Sequence, residues 1–191
     1  MLYSEYLKCA AKHLKACNLF LASYQEDANT DFEVLNDIYY LTGYILEGLT
    51  IHSVYKLYQW NSYKDIDDRN FFDYEFYKKT HLDFFHFRSI NNVQTFKPKL
   101  KVQGHGFQRI AQDLLQNQGP FTNDNITPYF GNGPINHDVK LLIDKWRPEV
   151  RYLHKNHRNI NIYPTLTKGL LIELVKTCNT IFLQIINVIG I

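Results

Sequence analysis

Between positions 146 and 158 the chain reads Trp-Arg-Pro-Glu-Val-Arg-Tyr-Leu-His-Lys-Asn-His-Arg, three arginines and two histidines within thirteen residues. Arginine keeps its charge and grips phosphate oxygens with paired hydrogen bonds, whereas histidine exchanges protons near neutral pH. Such a pair supplies what gripping or cleaving a phosphodiester demands without a metal: a fixed cation for developing negative charge and an acid/base for the proton. The same residues also suit a plainer role, a solvated basic face near a helix end where cations offset the carbonyl dipole. Over 137–158 six Lys and Arg side chains stand against three carboxylates, leaving +3 before the histidines are counted. That attracts one or two phosphates and is too little to coat a duplex. The whole chain carries only +2, too little to imply a general polyanion binder, so any nucleic-acid contact must be local.

These residues need elements to position them. Tyr3, Leu7, Ala10, Leu14, Cys17 and Leu21 step by three and four, which predicts an amphipathic first helix. Thr30 and Glu33 form a capping-box pattern opening a second helix that reaches about Trp60. That helix is apolar nearly all round and belongs at the centre of a bundle, with Gly43 and Gly48 permitting close approach of a neighbour. Glu47 then sits in a wet notch or is buried with a partner, and His52 reads as a hydrogen-bonded core histidine. A third helix is expected over about 106–116, a fourth from Asn136 or His137 carrying Val139, Leu142, Ile143 and Trp146, and a last from about Thr165. The expected fold is therefore all-α: a single domain over 1–191, a four- to five-helix up-and-down bundle. Its aromatic-rich irregular insert, at about 61–104, is expected to form short helical turns rather than strands.

Pro148 predicts a kink or fresh turn within the basic run. On an unbroken helix Arg147, Arg151, His154 and Arg158 would fall within roughly 60° of one another, while Arg151 and His157 would stand about 120° apart. Arg151 and His157 converge only if the chain leaves the helix near Lys155.

No Cys-x-x-Cys or Cys/His quartet points to structural zinc, and neither a metal nor a cofactor is expected. Three cysteines, of which Cys9 and Cys17 stand too far apart on the predicted first helix to bridge, suit a reducing, cytoplasmic setting, and charges inside the first apolar stretch do not fit a signal-peptide core. Glu173, Lys176, Asn179, Gln184 and Asn187 interrupt the greasy C-terminal stretch, which reads as an amphipathic helix rather than a membrane span.

Several landmarks together resemble the HEPN superfamily of nucleotide-binding helical domains. Tyr6-Leu-x-x-Ala-x-x-His-Leu14 is similar to its first helix, and Tyr40-Leu-Thr-Gly-Tyr-Ile-Leu-Glu-Gly-Leu49 to its buried Gly-Tyr-x-x-Glu helix. Gly104-His-Gly-Phe-Gln-Arg-Ile110 resembles its His-x-Leu element, with Phe107 in place of leucine. Trp146-x-Pro-Glu-x-Arg-Tyr152 resembles the block found in members paired with minimal nucleotidyltransferases.

The resemblance implies a metal-independent endoribonuclease of toxin type, acting as a homodimer and leaving 2′,3′-cyclic phosphate ends. Arg151 would stabilise the phosphorane, His157 or His154 would move protons, and Arg147, Lys155 and Arg158 would bind substrate. The family's active motif usually has a polar residue after Arg, whereas Tyr152 follows Arg151 and Pro148 follows Arg147. A non-catalytic subunit that binds nucleotide, or pairs with a nucleotidyltransferase-like or antitoxin protein, fits the same motifs. So does a helical interaction scaffold. Possible partners are RNA or nucleotide and a protein chain, with no membrane.

Overall fold

A computed structural model describes residues 1–24, 31–57, 60–66, 85–90, 93–98, 107–108, 136–152 and 165–189. Helix α1, Tyr3–Ser23, starts where the Glu5 carboxylate accepts a hydrogen bond from the Leu2 N–H at 2.9 Å. Its predicted stripe of Tyr3, Leu7, Ala10, Leu14 and Cys17 is buried, and the lysines between them are exposed. Helix α2, Asp31–Leu57, is the central element: Leu35, Ile38, Tyr39, Ile45, Leu46, Leu49, Ile51 and Tyr55 are all in the core. Helix α3, His137–Lys145, opens on Asn136, whose side chain accepts from the Asp138 N–H at 2.9 Å. A 3-10 helix, Pro148–Tyr152, follows, and helix α4, Lys168–Ile189, closes the bundle.

The packing is all-α, as the periodicity predicts. α1 lies antiparallel to α2, with Tyr6 beside Gly48 at one end and the Cys17 thiol 3.9 Å from the Ile38 carbonyl at the other. The Gly48 position is a true close approach: a Cβ there would stand 2.8 Å from the Tyr6 carbonyl oxygen. α4 buries Leu171, Leu174, Val175, Cys178, Ile181 and Ile185 against these two helices. By length and composition Lys168–Asn187 is apolar enough to cross a membrane. Here one side of it is core and the other carries Glu173, Lys176, Asn179 and Asn187, the amphipathic pattern the sequence predicts.

The insert departs from expectation. Among its described residues, Phe85–Ile90 pairs antiparallel with Val93–Pro98, where short helical turns were expected, in a register running from Phe85↔Pro98 to Ile90↔Val93; residues 67–84, 91–92 and 99–104 lie outside the described residues. Phe-His-Phe-Arg alternates apolar and polar residues, the period that suits a strand. The third predicted helix falls outside the described residues apart from Phe107 and Gln108, which are helical. His52, read as a core histidine, is fully buried with its ring 5.5 Å from that of Tyr3; Glu47 is buried as well.

Candidate functional site

The basic run begins where α3 ends. Trp146 leaves the helix in an extended conformation and Pro148 starts the 3-10 turn, so no α-helix carries Arg147 and Arg151 on one continuous stripe. The fixed φ of proline and its missing donor favour a restart at this point.

One face of α2 holds the described part of this stretch, from Leu142 to Val150. Tyr39 donates to the Leu142 carbonyl at 2.8 Å, the Trp146 indole N–H donates to the Tyr40 carbonyl at 3.2 Å, and the Asn36 amide donates to the Val150 carbonyl at 2.9 Å. Trp146 is buried over Gly43, edge-on to Tyr44 at 5.2 Å and 5.6 Å from Phe107. Gln108 fastens the same corner by donating to the Ile143 and Trp146 carbonyls, each at 3.0 Å. An indole in such a socket anchors the chain through several kinds of contact at once: large buried area, ring edges and one satisfied N–H.

Arg151 stands on this platform and is exposed. Its guanidinium hydrogen-bonds the hydroxyl of Tyr152 and lies 4.4 Å over that ring, with Tyr40 near enough to act on it electrostatically. Tyr40 in turn donates to the Tyr44 hydroxyl at 3.2 Å, and the two rings meet edge-on at 4.9 Å. Tyr40 and then Tyr152 raise the pKa of Arg151 further. Burial, then the bond from Tyr40, pushes the Tyr44 phenol well up, and Arg151 opposes that rise. Tyr44 therefore stays protonated and acts through its hydrogen bond, while the guanidinium is the fixed charge.

Arg147 is also exposed, but its Nη1 donates to the Trp146 carbonyl at 2.6 Å and the Asp144 carbonyl at 3.3 Å. It thereby caps the carbonyls that end α3. His154, Lys155, His157 and Arg158 lie outside the described residues. Sequence reasoning missed the Tyr40–Tyr44 hydroxyl pair beside Arg151, because on an all-round apolar helix tyrosines read as packing. Among the described residues no three His, Cys, Asp or Glu side chains gather to hold a metal ion.

The fold and this surface define an all-α helical protein presenting a tyrosine-held arginine. Compared with protein-family models, curated proteins and solved structures, the chain matches none.

Proposed function

We propose that the chain is a HEPN-like cytoplasmic protein that binds RNA at the Arg151 surface and cleaves it without a metal as a homodimer. The observation that carries this reading is the state of Arg151, exposed and held by the hydroxyl and ring of Tyr152. Hydroxyl and ring orient the guanidinium without neutralising it, so its charge remains available to a phosphate. A carboxylate partner would have spent that charge. In the proposed reaction Arg151 stabilises the phosphorane, and His157 or His154 transfers the proton of the 2′-hydroxyl. Incubation with mixed RNA in the presence of a chelator is expected to release 2′,3′-cyclic phosphate ends. Cleavage should disappear in Arg151→Ala and in one of the two histidine variants; no cleavage above background in the parent protein rejects the nuclease.

One observation favours a second reading, a non-catalytic RNA- or nucleotide-binding subunit of a two-protein system. Tyr152, standing where the resembled family's active motif usually has a polar residue, is the side chain that engages the guanidinium, which fits an arginine kept for binding. Under that reading Arg151→Ala weakens retention of a fluorescent single-stranded RNA by about tenfold, in the range of one charge-assisted contact, while no RNA is cut.

A further inference from the structure

We propose that Cys9 and His13 form a surface thiol–imidazole pair that reacts with low-molecular-weight disulfides, a modification site independent of the RNA reading. One turn of α1 stacks the two side chains, bringing the Cys9 Sγ 3.3 Å from the His13 Nε2. Nucleophile and base within hydrogen-bond reach is the arrangement that activates a thiol. The Tyr44 ring packs beside the imidazole at 6.1 Å without bonding to it, so the pair itself, nucleophile and base in reach, carries the activation. Cys9 is exposed, whereas Cys17 and Cys178 are buried. Burial pushes the Cys17 thiol up to about 12 and raises that of Cys178 as well, so both are inert in the folded chain.

The groups facing His13 are Cys9 and Lys12 on α1 and Tyr44 on α2. Burial first and Lys12 second hold its pKa below the ordinary histidine value, so the ring is a neutral base at neutral pH. Exposed Lys8 and Lys12 flank the pair and draw in anionic reagents such as oxidised glutathione. In the reaction Nε2 takes the proton from Sγ, and the thiolate attacks one sulfur of the incoming disulfide. That sulfur–sulfur bond breaks as the new Cys9–S–S bond forms. The departing thiolate recovers the proton from the imidazolium; Cys9 is oxidised and half of the reagent is reduced.

The test treats the native full chain with oxidised glutathione and, separately, with the aromatic disulfide 5,5′-dithiobis(2-nitrobenzoate). Peptide mass mapping should place the adduct on Cys9, with Cys17 and Cys178 unmodified. His13→Gln, with an unchanged helical circular dichroism spectrum, should react about tenfold more slowly or worse, a modest share of what a positioned base contributes. Should that variant misfold, the parent's pH profile decides. Base assistance keeps the rate nearly flat between about pH 6.5 and 7.5, whereas an unassisted thiol slows about tenfold per unit below its pKa. Equal rates for parent and His13→Gln, a tenfold-per-unit slope in the parent, or native labelling spread over all three thiols would each overturn the proposal.

Discussion

Replacing Gly43 with alanine tests the socket on which the Arg151 surface rests. The added methyl would stand 1.8 Å from Cε2 and 2.1 Å from Cδ2 and Nε1 of Trp146. Carbon atoms in a packed interior come no closer than about 3.5 Å, so the indole must retreat by roughly 2 Å. Retreat breaks its N–H bond to the Tyr40 carbonyl and its edge contact with Tyr44. Overpacking of this kind costs about 1–3 kcal/mol. The lost hydrogen bond adds about 1 kcal/mol and the lost aromatic contact about 0.5–1.5 kcal/mol. Alanine in place of glycine returns about 1 kcal/mol of helix propensity. The net expectation is a loss of about 2–4 kcal/mol, a fall in Tm of about 5–15 °C for a chain of this size.

Urea denaturation followed by circular dichroism and indole fluorescence measures the loss. Gly169→Ala is the control, because a Cβ there meets nothing within 4 Å; that change should stabilise by about 0.4–1 kcal/mol. Trimming the indole with Trp146→Phe should cost less in the Gly43→Ala background than alone, a coupling of about 0.5–3 kcal/mol. Parent-like stability in Gly43→Ala would refute the reasoning, since it would mean that no ring fills the space over that glycine.

Other expectations follow from the same contacts. Gly48→Ala brings a methyl to 2.8 Å from the Tyr6 carbonyl, backbone that cannot swing aside, so the urea midpoint should fall by an amount corresponding to about 1–3 kcal/mol. Asn136→Ala removes the cap on Asp138 N–H and the bond to Glu173 at 2.7 Å; thermal denaturation should register a loss of about 1 kcal/mol. The lowered pKa of His13 means that the unfolded chain binds more protons as pH drops below about 6.5. The stability it contributes is therefore complete above that pH and declines as pH falls toward the folded-state value. His13→Gln should flatten this part of the curve, and parallel urea midpoints for parent and variant from pH 7.5 to 5.5 would contradict the assignment.

How far the sequence reveals this surface depends on which forces set each part. The α1 stripe and the all-round apolar α2 are legible because helical periodicity registers burial directly, residue by residue. Gly43 and Gly48 are legible as close approaches, since a glycine inside a helix costs stability unless something needs the space. What fills the space is another matter: Gly48 meets α1 backbone, whereas Gly43 meets an indole from far along the chain. The Arg151 cluster is hidden for a related reason. Tyr40 and Tyr44 are counted as apolar by any period, yet both are only partly buried and their hydroxyls meet each other, with Tyr40 acting on the guanidinium. Cys9 and His13 are spaced for contact on one helix and could have been paired from the sequence.

The position of the arginine is thus a tertiary property of α2, not a local property of the basic run. Asn36, Tyr39 and the Tyr40 carbonyl fix the backbone at Val150, Leu142 and the indole of Trp146, and Gly43 makes room for that indole. The residues that supply charge and the residues that aim it are in different parts of the sequence. A variant that leaves every arginine and histidine intact but fills the Gly43 socket should therefore displace the Arg151 surface along with Trp146. RNA retention should fall in Gly43→Ala even at temperatures where its helices remain folded, and unchanged retention there would separate the indole socket from the function of the arginine.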